Sequence, residues 1–303
     1  MNVAKERLRR NMVFIPGHMP DHIQVALLDP DMDSALFDLE DLVSPDMKPK
    51  ARQLVSEAIR AGAFQAKGIE TVVRINHPAT PFFEDDMAAI MPAKPDMIRI
   101  PKVENKDDVL FVEKIVSGYE RKLGFAQNTV MLMSAIESPR GVLNAYEIAT
   151  ASPRMLGMAL SSADYTREMQ AERTKEGIEL DWARGMLLHC ARAAGVFVMD
   201  TSFIFQDLAA FEAEARRAKA MGFDGKTGGT MWPGQTAILS KVFSPSPEEI
   251  AYAEKVLAME KQYLDSGAGF ASEGDMFFDK PVVDRYRRLL RIAKQLENRK
   301  RCL

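Results

Sequence analysis

Eight apolar runs, most of them separated by helix-forming stretches, restrict how this chain can fold more than any other feature. In order they are NMVFIPG, SALFDLED, TVVRIN, DMIRIPK, TVMLMSAIE, MLGMALSSAD, VFVMDTS and FDGKTGG. Between them, KPKARQLVSEAIRAG, DDVLFVEKIVSGYERKLG and ELDWARGMLLHCARAAG carry apolar residues at helical spacing. Strands that alternate with helices pair in parallel, joined by right-handed crossovers. Near-continuous apolar runs fit strands covered on both faces. Eight of them predict an α/β fold of the closed (β/α)8 TIM-barrel kind. An open, doubly wound sheet would carry a glycine-rich first turn, and GxGxxG is absent from the sequence.

After Gly229 the pattern changes. In SPSPEEIAYAEKVLAMEKQYLDSG, Ser246 reads as an N-cap, Pro247 as the first helical residue and Glu249 as the partner in a capping box, with the helix stopping near Gly267. GAGFASEGDMFFDKP then reads as an irregular flap or lid marked by Gly267, Gly269 and Gly274, before a last amphipathic helix from VVDRYRRLL onward. The expected organisation is a barrel over residues 1–244 and a helical extension with its lid over 245–303.

Forty basic residues against 43 acidic give a net charge of −3. That balance has no basic block of the kind nucleic acid needs. Cys190 and Cys302 stand far apart in no metal-like spacing, so a reducing, cytoplasmic setting is expected. The N-terminal MNVAKERLRRN lacks the apolar core of a signal peptide, and no apolar run reaches membrane-helix length.

A barrel of this kind collects its chemistry where the strands end. That rim would carry Asp38, Glu40, Asp41, Arg74, Asn76, Lys102, Glu137, Asp164, Asp200 and Lys226. Glu137 and Asp164 follow successive strands and can converge on one hard, oxygen-loving cation, with Mg2+ the favoured ion. Four histidines, few beside these acids, do not make zinc the expected ion. Glu40 and Asp41 fit either a metal-supporting role or an ion-paired strand end, and Asp38, alternating with them, is expected to point elsewhere. Arg74 is either a structural ion pair or an anion contact. Lys102 is either a structural pair or a Schiff-base amine. Asp200 reads as a helix cap or a supporting partner. GFDGKTGG lacks the earlier glycine of a Walker loop, and its glycines read as a loop that lets a ligand approach the backbone.

Taken together, FIPG, LFDLEDLV, VVRIN, IRIPKVE, AIESPRGVLNAYEIATAS, ALSSADYT, ARAAGVFVMDT, GFDGKTG and FSPSPEEIAYAEKVL resemble, in order and over nearly the whole chain, the citrate lyase β-subunit family. That family includes malyl-CoA and citramalyl-CoA lyases. The resemblance implies a (β/α)8 barrel, with Glu137 and Asp164 as Mg2+ ligands. It also implies that Arg74 holds the substrate carbonyl and its enolate, and that Glu40 and Asp41 orient metal-bound water. Asp279 would be a lid residue that transfers a proton in a neighbouring subunit's site. Arg74 and Lys226 are the cations expected to meet the thioester cofactor. Three departures from the family pattern are Ser161-Ser162-Ala163 before Asp164, Trp232-Pro233-Gly234-Gln235 near strand eight, and Phe277-Phe278 before Asp279.

The implied reaction is a Claisen-type cleavage of a 3-hydroxy acyl thioester, giving an acetyl thioester and a 2-oxo acid. Citryl-CoA or a citryl carrier is favoured over malyl-CoA and citramalyl-CoA. The rival readings are a metal-dependent aldolase acting on free 2-oxo-4-hydroxy acids, a Schiff-base enzyme using Lys102, and a non-catalytic acyl-CoA-binding subunit. A homo-oligomer, trimer or hexamer, is the expected assembly, with other lyase subunits as further partners and neither nucleic acid nor membrane among them.

Overall fold

Each predicted run forms a strand, and the eight strands close on themselves. The computed structural model describes residues 7–265, 270–273 and 276–302. In chain order the strands are β1 (Asn11–Pro16), β2 (Ser34–Asp38), β3 (Glu70–Arg74), β4 (Met97–Ile100), β5 (Met131–Ile136), β6 (Met155–Leu160), β7 (Phe197–Asp200) and β8 (Gly225–Gly229). Each pairs in parallel with its sequence neighbour, and β8 returns to β1, making a (β/α)8 barrel. Alternation along the strands sorts the side chains into two cores. Val13, Val73, Ile98, Leu132 and Val198 face the surrounding helices in the larger core. Met12, Leu36, Val72, Met97, Met131, Met133, Leu156, Ala159 and Met199 fill the barrel itself.

That alternation also fixes where charged strand residues go. Asp38, Arg74 and Arg99 lie two residues beyond Leu36, Val72 and Met97, so they face the interior at its carboxyl end. Asp200 and Lys226 are one residue out of phase with the interior set, and face the helices.

The glycines of β8 differ from the sequence expectation. Gly225 allows close approach, but by the chain's own backbone: a Cβ there would stand 2.1 Å from the Arg9 carbonyl oxygen. Lys226 N donates to Arg10 O, so this glycine serves the closure of the barrel and not a ligand.

The chain divides into two compact units, Met1–Phe243 and Ser244–Leu303. In the second, the helix Pro247–Asp265 begins with the predicted capping box: Glu249 N donates to Ser246 Oγ at 3.1 Å, and Ser246 N donates to Glu249 Oε2 at 2.8 Å. The segment read as irregular contains a short antiparallel strand pair, Ala271–Glu273 with Met276–Phe278. Gly267, Gly269 and Gly274 lie outside the described residues. Phe278 packs with Ala253, Val256, Val283 and Tyr286 in a small core of this unit's own. Among the described residues, no helix is long and apolar enough to cross a membrane.

Candidate active site at the carboxyl rim of the barrel

The short segment after β5 sets Glu137 in place. β5 ends at Ile136, and Ser138 caps the next helix, Pro139–Leu143, by accepting from Gly141 N at 3.0 Å. Glu137 is therefore confined between a strand end and a helix start. Asp164 enters from the adjacent strand, since Ile136 and Leu160 are register partners. It sits in the first turn of the helix Ser162–Glu168. The two carboxylates thus come from neighbouring strands on one rim, and both line an open cleft of ≈ 210 Å³. Arg74, Asp41, Phe14, Ser161, Phe203 and Trp232 line it with them.

Glu137 is held in an unusual state. It is 2% exposed, and neither of its carboxylate oxygens accepts a hydrogen bond. Burial, then the nearby Glu40 charge, push its pKa up to about 8, and the facing Asp164 carboxyl, close enough to share a proton, adds to the rise. Arg74 and Lys102 pull the other way. A donor-free carboxylate beside a second acid suits a hard cation that supplies the missing positive charge. Among the described residues no group of three or more His, Cys, Asp or Glu is arranged to hold a metal. Two carboxylates would leave the remaining positions to water and substrate oxygens, the usual arrangement for Mg2+.

Arg74 is fixed by acids on one side. It is the register partner of Asp38, and its Nε and Nη2 donate to the two Asp38 oxygens at 2.5 and 2.8 Å. Its Nη1 lies 2.9 Å from Glu40 Oε2 as an ion pair without hydrogen-bond geometry. Burial alone would raise Asp38, but the Arg74 guanidinium holds it below its ordinary value. Asp38 therefore points to the same place as Arg74 and not elsewhere. Its oxygens also accept from Glu40 N and Leu42 N, so it shapes the loop that carries Glu40 and Asp41. Lys48 tightens that loop further by donating to Leu39 O at 2.8 Å and Glu40 O at 3.0 Å.

Lys102 bridges these acids. Its Nζ pairs with Glu40, with Asp41 at 3.2 Å and with Asp164 at 3.9 Å. Burial opposes its charge, yet Glu40, Glu137 and Asp41 together outweigh burial and raise its pKa. A firmly protonated lysine is a poor nucleophile, so the Schiff-base reading loses its amine. Its backbone is in the left-handed region, φ 52°, an uncommon conformation for a non-glycine residue.

Lys226 is not brought to the rim. Its Nζ is fully buried against Asp200 Oδ2 at 2.8 Å, Glu214 Oε2 at 2.7 Å and Thr201 O at 2.5 Å. Arg184 holds the same two acids from the helix Asp181–Ala194. Two acceptors and a second buried carboxylate surround the ammonium, so Lys226 is a structural cation and Asp200 is its partner, not a helix cap. Asp279 belongs to the second unit, where its Oδ1 accepts from Val282 N at 3.3 Å and caps the helix Lys280–Cys302.

Arg99 was missed by sequence reasoning, which gave DMIRIPK a role only through Lys102. Its signal was the phase it shares with Arg74: both follow an interior residue by two positions, and the two are register partners. Arg99 is 1% exposed, and its Nη2 donates to Ser161 Oγ at 3.0 Å. Its Nε and Nη1 have no hydrogen-bond partner. Burial, then repulsion from Arg74, bring its pKa down to about 10.

The barrel has counterparts among known proteins. Residues 10–228 match the HpcH/HpaI aldolase/citrate lyase family. The citrate lyase subunit beta of Leuconostoc mesenteroides subsp. cremoris is 41% identical over 289 residues, which is 95% of this chain and 94% of that protein. A (3S)-malyl-CoA thioesterase of Cereibacter sphaeroides is 33% identical over 263 residues, 86% of each chain. Among solved structures, protein CitE from Mycobacterium tuberculosis, in complex with magnesium, acetoacetate and coenzyme A, matches with a TM-score of 0.75 at 27% identity. The match covers 94% of this chain and 97% of that one.

Proposed function

This lyase belongs to the HpcH/HpaI aldolase/citrate lyase family, and from that premise we propose that it cleaves a citryl thioester, on coenzyme A or a carrier protein, to an acetyl thioester and oxaloacetate. The observation that carries the reading is Glu137: a buried carboxylate without a donor, facing Asp164 in the cleft that Arg74 lines. Glu137 and Asp164 are the residues that would hold Mg2+. When bound, Mg2+ supplies a Lewis acid that polarises the hydroxyl and carboxylate oxygens of the substrate.

In the reaction the substrate hydroxyl loses its proton and the adjacent carbon–carbon bond breaks. The electron pair of that bond passes to the thioester carbonyl, so oxaloacetate leaves and the acetyl thioester remains as its enolate. A proton returned to the enolate carbon completes the balance. Arg74, kept charged by Asp38 and Glu40, faces the cleft and stabilises the oxygen charge as it develops. Because its Asp38 contacts come from a strand neighbour, the guanidinium needs no reorganisation as that charge appears. Glu40 and Asp41, bridged by Lys102, orient water beside the carboxylate pair.

The test is cleavage of citryl-CoA, malyl-CoA and citramalyl-CoA by the purified protein, followed by release of each 2-oxo acid with and without EDTA. Citryl-CoA should be cleaved fastest, and only with the divalent ion present. Cleavage indifferent to EDTA, or a clear preference for malyl-CoA, would refute the reading.

Asp279 is the proposed proton-transfer group, serving a neighbouring copy in a homo-oligomer. Asparagine keeps the helix cap that aspartate makes, whereas alanine loses it at a cost of about 1 kcal/mol. Asp279→Asn should therefore melt like the parent and still lose cleavage by about 100-fold or more. Mixing Asp279→Asn with an Arg74→Ala variant should restore part of the activity if the aspartate acts across copies. A fully active Asp279→Asn removes it from the mechanism.

A further inference from the structure

We infer that the Arg99–Ser161 pair reads the second carboxylate of the substrate, and so selects an oxo-acid half that ends in –CH2–COO− over one that ends in a methyl group or hydrogen. The inference rests on the proposed cleavage reading and sharpens it from a reaction type to a substrate class.

The argument begins with the two arginines inside the barrel. They are register partners on adjacent strands and flank one aromatic ring, with guanidinium carbons 4.8 Å (Arg74) and 5.2 Å (Arg99) from the centroid of Phe14. Their surroundings differ. Arg74 is matched by Asp38 and Glu40. Arg99 is equally buried but carries two nitrogens with no partner, and its one hydrogen bond goes to a neutral hydroxyl. Glu137, Asp38 and Glu40 act on this charge from nearby without bonding its two bare nitrogens, which leaves it short of a bonded anion.

Ser161 connects this charge to the cleft, which it lines beside Arg74, Glu137 and Asp164. Its Oγ accepts from Arg99, so its own hydrogen remains to donate, and among the described residues it has no acceptor. A hydroxyl polarised by a guanidinium behind it is a stronger donor than a free serine. Ser161 makes no cap bond to the helix that follows it, so the hydroxyl has no competing local task. The cleft thus offers a charge-backed donor next to the carboxylate pair that would hold the metal.

The anion that fits is decided by the reaction. All three candidate substrates present one carboxylate next to the hydroxyl, which the metal site addresses. Only the citryl thioester carries another on the departing half; the malyl and citramalyl thioesters release glyoxylate and pyruvate. A site with an unpaired donor and an unpaired charge binds the ligand that satisfies both, and discriminates against one that leaves them buried without a partner. Ser161 is also where the chain departs from the usual family pattern before Asp164.

The test is calorimetric binding of oxaloacetate and of pyruvate to the whole protein in saturating Mg2+, for the parent, Ser161→Ala and Arg99→Lys, with melting curves for each. The parent should bind oxaloacetate at least about tenfold more tightly than pyruvate. Ser161→Ala should lose most of that ratio while pyruvate affinity stays within about twofold. Arg99→Lys, which keeps the charge but not the fork, should lose an intermediate share. An unchanged ratio in Ser161→Ala overturns the inference whether or not the Arg99 variant folds, as does a parallel loss of both acids. Equal affinity for the two acids in the parent overturns the inference and leaves the cleavage reading standing. Binding of neither acid by the parent overturns both.

Discussion

Glu137→Gln should lower Mg2+ affinity by more than the roughly 10–100-fold produced by removing a mere supporting partner of a ligand, and abolish cleavage with it. The same substitution should make the metal-free protein more stable. The two effects share one cause. Glu137 is 2% exposed and accepts no hydrogen bond, so in the absence of a metal its charge is buried and only partly offset by Arg74 and Lys102. Glutamine keeps the shape and removes the charge.

The sign of the pH dependence follows. Burial and the Glu40 charge raise Glu137 from 4.5 to about 8. A carboxyl raised in the fold contributes fully to stability below 4.5, and that contribution is lost as pH rises through 8. Urea melts of the metal-free parent should therefore carry this loss across that window, and Glu137→Gln should lack it. Below pH 8, Mg2+ must displace a proton, so its apparent affinity should rise with pH. Calorimetry in two buffers of different ionisation heat would reveal the released proton. A Glu137→Gln protein that binds Mg2+ like the parent would end the metal-site proposal.

Lys226→Met should destabilise the protein by roughly 3–5 kcal/mol, because it leaves buried carboxylates without their cation. Asp200 and Glu214 are both drawn below their ordinary values against the opposing effect of burial, and Lys226 leads the attractive causes for each. Arg184 would then be left with Asp200 to itself and would share Glu214 with Arg173. Adding Glu214→Gln should recover part of the loss, since it removes one of the orphaned charges; a double-mutant cycle by urea denaturation measures the share. The thioester KM of whatever folded Lys226→Met remains should be unchanged within about twofold. If that variant instead melts like the parent and loses thioester affinity, Lys226 is a ligand contact after all.

The architecture was legible because the apolar runs were long and evenly spaced, and parallel strands must alternate with crossovers. Glu137, Asp164, Arg74, Glu40 and Asp41 were legible for a related reason: polar residues at or just past the ends of such runs fall at the carboxyl rim. Phase along the strand was harder to read. Arg74 and Arg99 lie in register with the interior, whereas Asp200 and Lys226 are one residue off it. That single-residue difference sends Lys226 to the helix layer. Reading β8 as GKTGG gave no apolar alternation to set the phase, so the sequence could not separate an inward lysine from an outward one. The strand pair Ala271–Glu273 and Met276–Phe278 escaped because three-residue strands carry too little pattern.

The floor beneath the site has a longer-range consequence. Five of the nine buried apolar residues clustered inside the barrel are methionines: Met12, Met97, Met131, Met133 and Met199. Unbranched thioethers repack around altered neighbours at low cost. A lineage built on this interior can exchange residues at the rim one at a time, each change absorbed below without a compensating mutation.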